Sequence, residues 1–228
     1  MTLDCRQLGV IFDLDGVLVD SGWAHRQAWY DLAQQAGLQM SDEFFRGTFG
    51  MQNSAIIPLL WPDISREELA RLSDWKEHRY RQIVQERAEL AEGAEALLKD
   101  LKRHGFRLAV GTSAPAENLD VFWTRLSLGE WLDARVTDED VTESKPSPQT
   151  FLKAAERLGL KPACCAVVED AVQGVQAARA AGMCVVAVTT TRSREDLAHA
   201  DRVVAGLSDL KASDFRTLLG PVSPVGGT

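Results

Sequence analysis

Five short runs of the chain are apolar almost without interruption: LGVIFDL (8–14), FRLAVGT (106–112), ARVTD (134–138), CCAVVED (164–170) and CVVAVT (184–189). A strand with one wet face alternates apolar and polar residues, whereas continuous apolarity predicts strands covered on both faces, as in a parallel sheet. Between them, EGAEALLKDLKRHG (92–105), AENLDVFWTRLSLG (116–129), SPQTFLKAAERLGL (147–160) and AVQGVQAARAAGM (171–183) carry apolar residues at helical spacing, and glycine tends to close each segment. DRVVAG (201–206) predicts a further edge strand. Strand and helix alternating in this way define an α/β fold, a doubly wound, Rossmann-like parallel sheet.

Residues 21–90 break that rhythm and read as helices only, ending in a long SREELARLSDWKEHRYRQIVQERAEL. Ser65 with Glu68 three residues on is a capping-box pattern for that last helix. The predicted organisation is a core of residues 1–20 and 91–220, with a small helical cap of residues 21–90 inserted after the first strand. Such an insert is expected over the carboxyl end of the sheet, where α/β proteins bind ligands. The glycine- and proline-rich residues 221–228 are expected to be a disordered tail.

Composition narrows the partners. A formal net charge of −8 argues against a general nucleic-acid or anionic-membrane binder, although a local metal and lysine can still draw a small anion. Cys5, Cys164, Cys165 and Cys184 show no CxxC pairing, so buried thiols are expected. No leader-like pattern opens MTLDCRQL and no stretch has the length of a membrane span, so a cytoplasmic setting is expected, as a monomer or small homo-oligomer.

The first strand ends on FDLDG, with Asp13 and Asp15 at i and i+2, which a strand would point the same way. Two carboxylates that close repel and resist desolvation, so a bound cation is the simplest compensation. GTSAPAEN follows the second core strand, SKPSP precedes a helix, and VVEDAVQG closes a later strand. Parallel strands gather their carboxyl ends on one rim, so Asp13, Asp15, Thr112, Lys145, Glu169 and Asp170 are expected to converge there.

These four segments, in this order and over nearly the whole chain, resemble the haloacid dehalogenase superfamily, and within it the β-phosphoglucomutase and phosphoglycolate phosphatase branch. The resemblance implies Asp13 as nucleophile forming an aspartyl-phosphate and Asp15 as general acid/base. It implies Mg²⁺ held by the Asp13 carboxylate, the Asp15 backbone carbonyl and Asp170, with Glu169 helping directly or through water. Thr112 would hydrogen-bond a phosphoryl oxygen, Lys145 would neutralise the transferring group, and Gly16, Ser113, Ala114 and Asn118 would line the phosphate. In the cap, His25 and Trp29, one helical turn apart, match positions that face the active site in β-phosphoglucomutase.

The cap stretch FGMQNSAI (49–56) corresponds to the branch's substrate-selecting loop, with Gln52 and Asn53 where the mutases carry an arginine for a second phosphate. Arg46 lies too early to replace it, and Lys76 and Arg79 are expected on a solvent-facing side of the long helix. The expectation is therefore a Mg²⁺-dependent phosphatase of a small phosphomonoester. A β-phosphoglucomutase-like phosphomutase is the alternative. Metal-independent dehalogenation fits less well, because Asp15 and the Glu169–Asp170 pair are retained.

Overall fold

A computed structural model describes residue 5 and residues 7–220. The tail expected at 221–228 lies outside these residues. Along the chain, β1 (Gly9–Phe12) is followed by four helices, α1 (Gly22–Gln35), α2 (Asp42–Thr48), α3 (Asn53–Leu60) and α4 (Arg66–Glu86). Then come α5 (Ala94–Arg103), β2 (Arg107–Gly111), α6 (Ala116–Arg125), β3 (Ala134–Val136), α7 (Gln149–Leu158) and β4 (Cys165–Glu169). The chain continues through α8 (Val172–Ala180), β5 (Cys184–Val188), β6 (Arg202–Val204) and α9 (Ala212–Leu219). Contacts divide it into two compact units, Ser21–Ala88 and the remainder.

In the larger unit the six strands form one sheet in the order β3-β2-β1-β4-β5-β6, and every pairing is parallel. Central strands are buried throughout because helices cover both faces. Ile11, Ala109, Val167 and Val185 pack with Phe151 and Leu158 of α7 and Val175 and Ala178 of α8. The alternate positions Val10, Phe12, Leu108, Val110, Val168 and Val186 are fully buried as well. This is the doubly wound α/β architecture that the apolar runs predict. Connections from β1 run outward to β2 and β3, then return to place β4 on the other side of β1. The order therefore reverses between β1 and β4, and at such a switch point the loops beyond the carboxyl ends diverge and leave a crevice. In register, Gly9 pairs with Cys165 and Phe12 with Val168, so the residues after Phe12 and Val168 meet at that switch point.

Two sequence expectations are corrected here. Cys5 and Cys164 form a disulfide with Cα atoms 5.7 Å apart, so they are not thiols. The two residues are 159 apart in sequence and are brought together by the β1–β4 register, which a search for local cysteine pairs does not sense. Cys165 is a buried thiol as expected, while Cys184 is only half-buried. The helix α9 was not among the predicted elements; it buries Ala212, Phe215 and Leu219, a helical pattern compressed into eight residues.

The helical unit has a small core of its own, with Trp29, Leu32, Phe45, Ile56, Ile57 and Leu72. The Ser65 hydroxyl caps α4 by accepting the Glu68 N–H at 3.1 Å. The Glu68 carboxylate turns instead to Arg71, so the side-chain half of the box is diverted.

Candidate active site

Asp13 stands one residue past β1, and its N–H still donates to the Val168 carbonyl at 2.9 Å, which ties it to the last rung of the ladder. The chain then turns, with the Gly16 N–H donating to the Val19 carbonyl at 2.9 Å. Asp15 comes just before this turn and forms an isolated bridge with Val19. Gly16 has φ of +81°, and a Cβ there would come within 2.3 Å of Asp170 Oδ2. Only glycine allows the turn and that carboxylate to approach so closely.

Glu169, the last residue of β4, and Asp170, the next, are both buried. One Glu169 oxygen accepts the N–H groups of Asp170 and Ala171 at 2.9 and 3.0 Å, which shapes the turn into α8. The other accepts from Lys145 Nζ at 2.6 Å. Lys145 Nζ also donates to Asp13 Oδ1 at 2.5 Å and lies 4.7 Å from the centre of the Phe151 ring. One ammonium thus joins residues from β1, the loop before α7 and β4, and the Lys145–Pro146 peptide that carries it is cis. Asp170 is held from a third side: Thr191 Oγ1 is 2.6 Å from its Oδ2 and 2.9 Å from its carbonyl oxygen. Thr190 donates to the Gly16 carbonyl at 2.6 Å.

Thr112 follows β2 and is buried. Its N–H donates to the Val136 carbonyl at 3.0 Å, and its Oγ1 accepts the Ala114 N–H at 3.1 Å. The register Phe12↔Val110 sets it one position beyond the residue opposite Asp13. Ser113 Oγ is buried with no hydrogen-bond partner, a polar atom left for a ligand oxygen or water. Asn118 is buried in the first turn of α6.

Burial pushes the Asp13 carboxyl up to about 7; Lys145 pulls it down, while Glu169 and Asp15 push it further up. Asp170 is raised well above the usual carboxylate range by burial first, then by Glu169 and Asp13. Lys145 is also buried, yet Asp13 and Glu169 outweigh that cost and hold it above the ordinary lysine value. The site is therefore short of positive charge even with Lys145 in place. A hard divalent cation bound through carboxylate and carbonyl oxygens fits that deficit. Among the described residues no three His, Cys, Asp or Glu side chains form a complete ligand cluster. The expected set does not require one, because Asp15 would contribute its backbone carbonyl.

Two contributors escaped the sequence reading. Gly174 sits one turn into α8, where a Cβ would fall 1.9 Å from the Glu169 carboxyl carbon. A glycine inside a helix, five residues after Glu169, was the available signal. Thr191 was marked only by lying past the end of β5 on the same rim.

His25, Gln52 and Asn53 belong to the helical unit. His25 Nδ1 is 2.9 Å from Lys76 Nζ, and its ring stacks on Tyr80 with centroids 3.9 Å apart. Glu77 Oε1 accepts from Lys76 at 2.7 Å and from Asn53 at 2.7 Å. His25 and Asn53 thus join one polar network, while Gln52 is exposed. The solvent-facing expectation for Lys76 is corrected: it is 2 % exposed, because ring faces of Trp29 and Tyr80 and the Glu77 carboxylate surround it. Trp29 belongs to the helical unit's apolar core. Arg79 is half-exposed and pairs with Asp31 at 2.6 Å.

A parallel-sheet switch point bearing paired acids and a lysine is common to a class of hydrolytic and group-transfer sites, and comparison with known proteins specifies it. Residues 10–188 match the family model described as haloacid dehalogenase-like hydrolase. The chain belongs to that family. It is 36 % identical over 186 residues to the fructose-1-phosphate phosphatase YqaB of Escherichia coli, covering 78 % of this chain and 94 % of that one. It is 30 % identical over 213 residues to the validoxylamine A 7'-phosphate phosphatase of Streptomyces hygroscopicus, covering 88 % and 94 %. Among solved structures, a β-phosphoglucomutase from Clostridium difficile superposes with a TM-score of 0.83 at 26 % identity, covering 93 % and 97 %.

Proposed function

We propose that this protein is a Mg²⁺-dependent phosphatase that hydrolyses a small sugar-like phosphomonoester through an aspartyl-phosphate on Asp13. The observation that carries the reading is the Lys145 ammonium bridging Asp13 and Glu169 at the switch point. Phosphoryl transfer needs a positioned nucleophile beside fixed positive charge, and this constellation supplies both.

In the first step an Asp13 carboxylate oxygen attacks phosphorus while Asp15, in its acid form, gives its proton to the leaving ester oxygen. Lys145 offsets charge on the phosphoryl oxygens, and Thr112 and Ser113 donate hydrogen bonds to them. In the second step Asp15, now a carboxylate, takes a proton from the attacking water, and the acyl-phosphate breaks to free Asp13 and inorganic phosphate. Mg²⁺, held by Asp13, the Asp15 carbonyl and Asp170 with support from Glu169, would supply the charge that lets nucleophile and phosphate approach.

The named relatives act on different phosphates, so the leaving group stays at the level of a small polyhydroxylated metabolite. A cytoplasmic setting, without a nucleic-acid or membrane partner, belongs to the same proposal. Release of inorganic phosphate from a panel of sugar, nucleotide and carboxylic-acid phosphates, with Mg²⁺ and with chelator, tests it. Turnover independent of divalent cation would overturn the mechanism. The likeness to a β-phosphoglucomutase keeps phosphomutase chemistry as the second reading. Conversion of a hexose 1-phosphate to its 6-phosphate without phosphate release would establish it.

A further inference from the structure

The one disulfide among the described residues spans the amino ends of the two strands whose carboxyl ends carry the candidate catalytic acids. Cys5 lies four residues before β1, which leads to Asp13, and Cys164 directly precedes β4, which leads to Glu169 and Asp170. β1 and β4 are hydrogen-bonded neighbours at the centre of the sheet. The link therefore crosses the switch point at the edge opposite the acids.

We propose that Cys5–Cys164 is a reversible redox latch that sets the stability of the sheet without entering the phosphoryl site. Closure consumes an external disulfide such as glutathione disulfide. The thiolate of one cysteine attacks it, forming a mixed disulfide and expelling one glutathione thiolate. The second cysteine thiolate then displaces the other glutathione. The two protein thiols lose two electrons and two protons in all, and the oxidant becomes two thiols. A dithiol reductant reverses both exchanges.

Three features bear on how such a latch would act. The closed ring is long, with 159 residues of separation, so closure removes much freedom from the unfolded chain while changing the folded chain little. Cys5 and Cys164 are buried, at 2 % and 4 % exposure, so exchange requires local opening of the fold. The remaining thiols do not compete for the bond. Burial pushes Cys165 up to about 12, and burial with Asp201 raises Cys184, so neither offers an attacking thiolate near neutral pH.

The test uses the full chain, incubated with glutathione disulfide, then unfolded and alkylated with iodoacetamide. Two added groups are expected, on Cys165 and Cys184, rising to four after dithiothreitol. The melting midpoint of the oxidised protein should exceed that of the reduced protein by about 5–10 °C. Cys5→Ser should melt like the reduced protein under both conditions, whereas Cys165→Ser should keep the full redox shift. Four added groups after oxidation, a bond mapped to Cys165 or Cys184, or a redox shift surviving in Cys5→Ser would overturn the proposal.

Discussion

Gly174 leaves open the space that the Glu169 carboxylate fills: a Cβ at residue 174 would lie 1.9 Å from the carboxyl carbon. Glu169 in turn holds Lys145 and two backbone N–H groups. A helix residue thereby fixes, through Glu169, the ammonium that bonds Asp13. Gly174→Ala should lower turnover of an aryl phosphate by at least about tenfold and destabilise the protein by about 1–3 kcal/mol, despite alanine's better helix propensity. A more stable and fully active variant, read by thermal melting and initial rates, would show that Glu169 has slack the packing does not suggest.

Asp13→Asn keeps the shape of the proposed nucleophile and removes its charge. Turnover should fall by at least about a thousandfold. The folded state should persist or gain stability, because a buried carboxylate pushed up to about 7 is replaced by a neutral amide. Circular dichroism melting beside phosphate release separates the two effects.

Lys145→Met should be costly in both respects. The methionine keeps most of the stem volume over Phe151 but leaves Asp13 and Glu169 facing each other without their shared cation. The expected loss is about a hundredfold or more in turnover and about 3 kcal/mol in stability. Urea unfolding should show the stability loss shrinking at low pH, where the carboxyls take up protons.

Much of this site was legible in the sequence because it rests on chain order. Continuous apolar runs mark buried parallel strands, and parallel strands collect their ends, so Asp13, Lys145 and Glu169 meet although they come from distant segments. The β1 signal overran its end, however: the strand stops at Phe12, so Asp13 and Leu14 lie beyond it. Lys76 was misjudged because charge patterning cannot reveal that Trp29, Tyr80 and Glu77 enclose one face of α4. Cys5 and Cys164 were missed for a related reason, since strand register rather than sequence spacing makes them neighbours.

Divalent cation should stabilise the folded protein. Asp13 and Asp170 are both raised by burial first and by neighbouring carboxylates second, costs that a bound cation would offset, so millimolar Mg²⁺ should raise the melting midpoint and excess chelator should reverse it. The shift should disappear in Asp170→Ala. An unchanged midpoint in the parent protein would count against the site's affinity for the ion.

At the far edge of the sheet, Asp133 accepts the Leu108 N–H at 2.8 Å and pairs with Lys102 at 3.1 Å. Burial opposes its ionised form, but the Leu108 N–H, Lys102 and Arg107 together hold its carboxyl below the usual range. A lowered folded value means the unfolded chain binds the proton more readily. The stabilisation is thus present above the unfolded value near 3.8 and is lost as pH falls through the folded one. Asp133→Asn should cost about 1 kcal/mol at pH 7 and flatten the acid limb of a stability–pH curve measured by urea unfolding.

Where the chain leaves the sheet for the helical unit and where it returns, the two crossings are joined to each other: Val19 bridges Leu90, and the Ala91 N–H donates to the Leu18 carbonyl at 2.9 Å. Departure and return therefore share one gate, closed from the sheet's side whatever is threaded through it. Because loop-closure cost grows only slowly with length, the passenger between them can be lengthened, trimmed or exchanged at little expense to the strands beneath. The sheet and its β1–β4 rim are thus closed off as a unit, independent of how long the inserted helices run.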